Sequence, residues 1–128
     1  MKKHAKEKKQ LKNNDQEIEI KAIIIKDQSW WHIRKYYKSG HGALIVGESG
    51  PGNNDDYGFL NITKKPPTGY AYRETEKSIS KNIEEKSYIR LYLQRGKKKR
   101  FSRWLLKYEL TDKDYQIVLV FLKNKKRN

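Results

Sequence analysis

Four short stretches of the chain have the hydrophobic patterns of β-strands, either alternation of apolar and polar residues or a short apolar run. In the first stretch, Ile18, Ile20 and Ala22 alternate with charged residues and lead into an apolar run. This strand is expected to be half-exposed at its start and buried at its end. The other stretches contain more apolar residues and predict strands that bury at least one face. The four predicted strands cover residues 18–25, 43–46, 57–63 and 87–93.

Segments rich in turn-forming residues separate these strands. A turn is predicted at residues 39–42, a loop at residues 48–56 and a break after the third strand at residues 64–69. Residues 70–86 are polar and weakly patterned, which is more typical of a functional loop than of core. Gly96, with the basic run that follows it, predicts a hairpin tip or loop.

The last part of the chain has the spacing of a helix. Thr111 is followed three residues later by an acid, as in a capping box. Apolar residues then recur at helical spacing, which predicts a helix over residues 112–123. The unbroken apolar run at residues 117–122 also suits a strand. Residues 30–38 fit either a helical turn or a strand.

These elements predict a β-rich α+β fold, a small and partly open antiparallel β-barrel with a C-terminal helix. Residues 1–16 contain six lysines and little apolar content, so they are expected to form a basic flexible tail. Residues 17–128 are expected to form a single small β-barrel domain, because the chain has the length of one domain.

The composition excludes several classes of function. The 128 residues include no cysteine, so a disulfide framework, a thiol nucleophile and a thiolate metal site are excluded. No apolar run approaches the ~18 residues that a membrane span needs, and no apolar segment follows the basic start. Neither membrane insertion nor a signal peptide is therefore expected, and the predicted location is the cytoplasm.

The charge of the chain favours a polyanionic partner. Thirty Lys and Arg against fifteen Asp and Glu give a formal net charge of +15. Twenty-three of these bases are lysines, which contact phosphates as point charges, whereas arginine provides the planar fork that reads bases. Contacts to a nucleic-acid backbone are therefore favoured over detailed base recognition. A lysine-rich host composition without functional meaning is the alternative interpretation.

Two positions have side chains suited to phosphate chemistry. His41 lies in a Gly-His-Gly turn directly before a predicted buried strand, and histidine titrates near neutral pH. Thr63 ends a strand and is followed by two lysines, so its hydroxyl and their ammonium groups are placed to hold a phosphate. Each residue also fits a structural role, as a turn histidine or a strand threonine. The glycine-rich segment 47–52 lacks the lysine of a P-loop, metal-binding spacings are absent, and no cofactor is expected.

Three segments taken together resemble the PemK/MazF plasmid-maintenance toxins. Residues 38–46 (KSGHGALIV) are similar to the Gly-x-(Arg/His)-Pro turn of that family and the apolar strand after it. Residues 61–64 (NITK) are similar to its Ile-Thr strand end, and residues 87–91 (SYIRL) to its serine-containing strand that leads to an arginine. The chain departs from the family at His41, where arginine is usual, and at Gly42, where proline is usual.

The resemblance implies a fold, an activity and a set of site residues. The family fold is a small SH3-like barrel with a C-terminal helix, and its members cut single-stranded RNA without metal, by attack of a ribose 2′-oxygen on the adjacent phosphate. The implied partners are single-stranded RNA, a cognate antitoxin (protein or RNA) and a second copy of the chain. The catalytic positions fall on His41, Thr63 and Ser87. The expected RNA- and phosphate-binding residues are Lys38, Lys64, Lys65, Arg90, Trp30 and Trp31.

Three functions explain some or all of these features. The first is a metal-independent endoribonuclease toxin of a toxin–antitoxin module. The second, a non-catalytic nucleic-acid-binding accessory protein of a plasmid, phage or conjugative element, explains the charge and the aromatic residues equally well. A ribosome-associated or structural protein explains the lysines but not the arrangement of His41, Thr63 and Ser87. Convergence of these three side chains within ~10 Å in a basic concavity favours the enzyme.

Overall fold

Seven β-strands and one α-helix make up the part of the chain that the structure describes. That part comprises residues 23–50, 52, 55–76, 86–107 and 110–127 of a computed structural model. The predicted tail at residues 1–16 and the start of the predicted first strand, residues 18–22, lie outside it. The elements are β1 (Ile23–Ile25), β2 (His32–Lys35), β3 (Gly42–Ser49), β4 (Asp56–Thr63), β5 (Tyr72–Glu74), β6 (Tyr88–Arg90), β7 (Gln94–Lys97) and α1 (Asp112–Arg127).

The strands form an antiparallel sheet built around the long hairpin of β3 and β4. One edge of β3 pairs with β4, and its other edge is shared by β2 and β1, which pair with its first and second halves. The outer edge of β4 is shared in the same way by β7 and β6, and β5 extends the sheet beyond β6. Each long strand therefore has two short partners, placed one after the other along its length.

The sheet curls into a half-barrel because residues 101–106, here called the closing segment, return to the outer edge of β2. The main-chain N–H of Ser102 donates to the carbonyl of Lys35 at 2.9 Å. Four residues later, the N–H of Leu106 donates to the carbonyl of Ile33 at 2.8 Å. These bonds join the chain after β7 to β2 and narrow the opening of the half-barrel.

Each face of the sheet has its own hydrophobic core. On one face, Val118 and Leu122 of α1 pack with buried residues of β2, β3, β4 and β6. Leu60 and Ile62 of β4 point to this face, so the alternate residues of β4 point to the opposite one. We call that opposite face the distal face. Its smaller core consists of Ala43, Ile45, Phe59 and Phe101.

Two glycines let β1 approach the β3–β4 hairpin closely. A Cβ atom at Gly47 would meet the main-chain carbonyl of Ile24, and one at Gly58 would overlap the side chain of Ile23. Glycine at these two strand positions removes the atom that would hold β1 away from the hairpin.

The start of α1 is tied to the loop after β5. The hydroxyl of Thr111 accepts a hydrogen bond from the N–H of Asp114 at 3.2 Å, as expected for a helix cap. The buried Asp114 carboxylate accepts from Arg73 Nε at 2.9 Å and from the N–H of Glu76 at 3.2 Å. The helix therefore begins at a buried ion pair as well as at a cap. Among the described residues, no helix combines the length and the apolar character needed to cross a membrane.

Most of the predicted elements are confirmed. The chain is β-rich, its antiparallel sheet forms a half-barrel, and a helix rather than a strand follows it at the C-terminal end. The predicted strands at residues 43–46 and 57–63 are parts of β3 and β4. The ambiguous segment 30–38 contains both alternatives, since a 3₁₀ turn at Gln28–Trp30 is followed by β2.

Three predictions need correction. Gly96 does not lie at a hairpin tip but within β7, because this strand pairs with β4 and leaves Gly96 beside the rings of Phe59 and Phe101. The predicted strand 87–93 ends at Arg90, where pairing with β4 and β5 stops. Within the predicted loop 70–86, Tyr72–Glu74 form the strand β5, which pairs with β6, and residues 77–85 lie outside the described part of the chain.

Candidate nucleic-acid interface

A cleft of about 680 Å³ opens between β2, the start of β4 and the closing segment. We call it the aromatic cleft. Its aromatic lining residues are Tyr37, Tyr57, Phe101 and Trp104. Its basic lining residues are Arg34, Lys98, Lys99 and Arg103. The described residues that line the cleft include no carboxylate.

Two aromatic rings of the cleft are open to solvent. The side chain of Trp104 is 57% exposed and that of Tyr37 is 50% exposed. Their ring centroids are 6.5 Å apart and their planes are inclined by 65°. Deeper in the cleft, Tyr57 packs edge to face on Phe101, with centroids 5.3 Å apart. Large exposed rings beside a cleft are characteristic of binding surfaces.

The basic residues of the cleft divide into paired and unpaired cations. Lys98 Nζ lies 2.9 Å from a carboxylate oxygen of Glu48 and 5.0 Å from the centre of the Tyr57 ring. The hydrogen bond from Lys98 holds the pKa of Glu48 below its ordinary value of 4.5. Lys99 and Arg103 are exposed, and neither forms an ion pair within the described part of the chain. Their charges are therefore available to a bound phosphate.

Hydrogen bonds from β2 fix the backbone that bears Trp104. Arg34 Nη1 donates to the carbonyls of Ser102 and Arg103, both at 2.9 Å. The Ser102 hydroxyl accepts from the N–H of Lys35 at 3.0 Å and donates to the carbonyl of Trp104 at 2.8 Å. Because this backbone is already ordered, binding at Trp104 costs less conformational entropy.

His32 lies beside the cleft, with its ring centroid 4.9 Å from Trp30 and 5.9 Å from Tyr57. Its Nδ1–H donates to the carbonyl of Trp30 at 3.0 Å, and its Nε2 is buried without a hydrogen-bond partner. Burial lowers the pKa of His32 below its ordinary value of 6.5, and the nearby Arg34 guanidinium lowers this pKa further. The ring is therefore neutral near pH 7 and adds no positive charge next to the cleft.

The predicted catalytic residues His41 and Thr63 lie at one end of the β3–β4 hairpin. The last β3–β4 pair at this end is Ala43 with Asn61. His41 lies two residues before Ala43, in the turn that leads into β3, and Thr63 lies two residues after Asn61, at the end of β4. His41 is exposed, and the Thr63 hydroxyl donates to the carbonyl of Lys65 at 2.7 Å.

The third predicted catalytic residue, Ser87, lies next to this end of the hairpin. Thr63 pairs with Tyr88, so Ser87 is one residue away from the position opposite Thr63. The main chain of Ser87 is fixed by Thr75, whose N–H and hydroxyl both donate to the Ser87 carbonyl, at 2.9 and 3.1 Å. Sheet register thus places His41, Thr63 and Ser87 at the same end of the β3–β4 hairpin.

The predicted phosphate-binding cations surround the same end of the hairpin. Lys38 is exposed in the turn that contains His41, and Lys64 and Lys65 are exposed directly after Thr63. Arg90 is half-buried, and its guanidinium lies over the ring of Tyr70, 4.5 Å from the ring centre.

The two tryptophans predicted to stack on bases belong to the cores. Trp31 is only 7% exposed, its ring lies 6.0 Å from Tyr115, and its Nε1–H donates to the carbonyl of Lys26 at 2.9 Å. Its ring is therefore not available to a base. Trp30 is partly buried and packs against both cores. The exposed indole is that of Trp104.

Sequence reasoning did not identify the aromatic cleft. The basic run over residues 97–100 and the Arg103–Trp104 pair were visible signals for it. The aromatic partners Tyr37 and Tyr57, however, come from distant parts of the chain, and only the return of the closing segment to β2 brings them together.

Comparison of the chain with protein-family models, with curated proteins and with solved structures gives no match.

Proposed function

We propose that the protein binds single-stranded nucleic acid in the aromatic cleft. The supporting observation is that one cleft combines solvent-exposed rings with basic side chains and has no carboxylate in its described lining. Bases stack on aromatic side chains for about 1–3 kcal/mol each, while neighbouring cations contact the phosphates. The formal net charge of +15 adds long-range attraction for a polyanion.

A single strand fits the cleft better than a duplex. In a duplex the faces of the bases are covered by neighbouring base pairs, whereas a single strand can present them to protein rings. Tyr37 and Trp104 are inclined by 65°, so they suit two successive unstacked bases rather than one base between parallel rings.

The first test replaces the exposed indole. Trp104→Ala is expected to weaken binding of a single-stranded oligonucleotide by about 5- to 150-fold, the loss of one stacking contact. Leu105→Ala is the matched control, because Leu105 is adjacent, 55% exposed and not part of the cleft lining. Fluorescence anisotropy at fixed salt measures both affinities. Equal affinities for the two variants would contradict binding in the cleft.

The unpaired cations provide an independent test. The double variant Lys99→Gln/Arg103→Gln removes two charges that are free to contact phosphates. The slope of log affinity against log salt is expected to become shallower by about 1.4, since each phosphate contact to a single strand contributes about 0.7. An unchanged slope would show that these side chains do not contact the strand.

We propose metal-independent RNA cleavage as a second function, at the end of the β3–β4 hairpin. The supporting observation is that His41 and Thr63 lie at the same end of this hairpin, with the exposed cations Lys38 and Lys64 close to them in the chain. An SH3-like barrel of the PemK/MazF type is part of this proposal, and the half-barrel followed by a C-terminal helix is compatible with it.

Each residue of this second site has a defined role. The imidazole of His41 accepts the proton of the ribose 2′-hydroxyl, whose oxygen attacks the adjacent phosphorus. The Thr63 hydroxyl and the lysine ammonium groups stabilise the negative charge that develops on the phosphate oxygens. The bond from phosphorus to the 5′-oxygen breaks, the leaving oxygen takes a proton from water, and His41 returns its proton to the solvent, so the products end in a 2′,3′-cyclic phosphate and a 5′-hydroxyl.

Incubation of a long single-stranded RNA with the protein in EDTA tests this chemistry. His41→Phe removes both ring nitrogens at similar size and is expected to slow cleavage by roughly 10²–10⁴-fold. Thr63→Val removes only the hydroxyl and is expected to slow cleavage while leaving RNA affinity within a few-fold. Undiminished cleavage by both variants would contradict the site, and an inactive wild-type protein would leave nucleic-acid binding as the function.

A further inference from the structure

Four tyrosines surround Arg90 on the distal face, at the end of the sheet formed by β5 and β6. Tyr70 and Tyr92 are in edge contact, with centroids 5.4 Å apart, and Tyr72 and Tyr88 likewise, with centroids 5.5 Å apart. Tyr70, Tyr72 and Tyr92 are 44%, 45% and 40% exposed. We call this group, with Arg90, the tyrosine surface. Three of its rings are thus accessible to a partner, whereas Tyr88 is half-buried and its hydroxyl donates to a carboxylate oxygen of Glu74 at 3.3 Å.

Arg90 gives the tyrosine surface a preference for an anionic partner. The guanidinium is half-buried under Tyr70, and its Nε is buried without a hydrogen-bond partner. No ion pair to Arg90 occurs within the described residues. A partly desolvated cation is costly without a counter-charge, so a bound anion stabilises this arrangement.

The surroundings of the tyrosine surface are also mainly basic. Lys64 and Lys65 are exposed directly after Thr63, which pairs with Tyr88. Lys86 adds a third cation, although it lies 3.8 Å from a carboxylate oxygen of Glu74. The combination of accessible rings and excess positive charge suits a nucleic-acid strand better than a neutral protein surface.

The tyrosine surface and the aromatic cleft lie on the same side of the sheet. Phe59 belongs to the core of the distal face, and side chains two positions apart in a strand point to the same face. Tyr57, which lines the cleft, and Asn61 therefore also point to the distal face of β4. Ile62 pairs with Ile89, so Arg90 lies across from Asn61. Four residues at about 3.3 Å each give a separation of about 13 Å along β4. Phe59 and Asn61, which lie on this face between the two places, are only 1% and 7% exposed. A nucleic-acid strand that contacts both places therefore passes around the smaller core and covers more than this distance.

We propose that the tyrosine surface is a second contact for the strand that binds in the aromatic cleft. This inference rests on the proposed binding function and adds a statement about its ligand. The preferred ligand is an extended single strand that occupies both places, with a phosphate on Arg90 and bases on Tyr70 and Tyr92. An oligonucleotide so short that it lies entirely within the aromatic cleft does not reach the tyrosine surface.

The test compares two oligonucleotide lengths, about 3 and about 12 nucleotides, the second within the range of site sizes known for small barrel domains. The double variant Tyr70→Leu/Tyr92→Leu keeps apolar bulk but removes both rings. Its affinity for the long strand is expected to fall about 5- to 150-fold for each base that loses its stacking ring, while its affinity for the short strand stays within about two-fold of the wild type. Tyr70→Phe/Tyr92→Phe restores the rings, and is expected to restore most of the long-strand affinity.

The outcomes separate the two proposals. If Trp104→Ala weakens binding of both lengths but the leucine variant binds the long strand like the wild type, the tyrosine surface is not a contact and the cleft remains. If the wild type binds neither length, both proposals fail together. Arg90→Gln, with Lys113→Gln on the exposed surface of α1 as its charge-matched control, tests the anion contact without changing a ring. Equal long-strand affinities for these two variants would also overturn the inference.

Discussion

At the scale of single residues, the buried nitrogen of His32 makes stability depend on pH. The pKa of His32 in the folded protein lies below 6.5, chiefly because the ring is buried. Between this lowered pKa and 6.5, the unfolded chain binds a proton that the folded protein does not. The contribution of neutral His32 to stability is therefore fully present above pH 6.5 and is lost as the pH falls through the folded pKa.

We predict that His32→Asn reduces the loss of stability on acidification. The amide nitrogen of asparagine can take the place of Nδ1–H in the hydrogen bond to Trp30, and asparagine has no proton to gain. Thermal melts at about pH 7 and about pH 5.5 should show a smaller fall in Tm for the variant than for the wild type. His41→Asn is the control, because His41 is exposed, and it is expected to keep the wild-type difference. An equal fall for wild type and His32→Asn would contradict the prediction.

Single residues also show where sequence reasoning stops. Trp30 and Trp31 are adjacent and have the same sequence neighbours, so their local patterns do not distinguish them. In the structure, Trp30 ends a 3₁₀ turn, whereas Trp31, between this turn and β2, packs into the core with residues of α1. Trp104 follows Arg103 in a segment without periodicity, and its exposure depends on the hydrogen bonds that hold the closing segment. Tertiary contacts thus decide whether an aromatic ring is exposed, and the local hydrophobic pattern of the sequence does not show these contacts.

At the scale of elements, the start of α1 depends on Asp114. Its carboxylate is buried and receives hydrogen bonds from Arg73 and from the N–H of Glu76, which belong to β5 and the loop after it. We predict that Asp114→Ala lowers the free energy of unfolding by about 3 kcal/mol, because Arg73 loses its partner in a largely buried place. Denaturant titration measures this change.

The exposed Asp112, two residues earlier in the same helical turn, provides the control. Asp112→Ala loses only the interaction of an exposed acid with the helix N-terminus, about 0.3–1 kcal/mol. Similar losses for the two variants would show that the ion pair of Asp114 adds nothing beyond its position in the first turn.

Elements with a strong internal pattern could be predicted, and the others could not. β3, β4 and α1 contain enough apolar residues at one period to be recognised without their neighbours. The sequence of β7, Gln-Arg-Gly-Lys, has no apolar residue, and this strand exists because its backbone pairs with β4. The register of the β3–β4 hairpin was not predictable from the two strands, because it shifts at an irregularity between Ile45 and Gly47.

At the scale of the whole molecule, Glu48 reduces the positive charge available to the cleft. Its carboxylate lies 2.9 Å from Lys98 Nζ and 3.7 Å from Lys26 Nζ. We predict that Glu48→Gln raises affinity for a single-stranded oligonucleotide at low salt by about two- to five-fold, the value of one partly exposed ion pair. The gain should disappear at high salt, because screening weakens the added charge.

The matched control for this prediction is Asp112→Asn, which makes the same change of net charge far from the cleft lining. Binding isotherms at two salt concentrations compare the variants. An equal gain from both would mean that the total charge, and not the charge at Lys98, sets the affinity.

The closing segment has a consequence for the order in which the protein folds. Arg34 and Ser102 are 68 positions apart, whereas the β3–β4 hairpin joins neighbouring strands through one short loop. Contacts between distant residues are slow to form because a long loop must close first. The hairpin is therefore expected to form early and the aromatic cleft late.

In the native protein, the amides of Ser102 and Leu106 should exchange their hydrogens faster than those of Leu44 and Leu60. A single-stranded nucleic acid bound in the aromatic cleft contacts both β2 and the closing segment, so it holds together parts of the chain that form at different times. Its binding should therefore slow the exchange of the Ser102 and Leu106 amides, and more so as a larger fraction of the protein is bound.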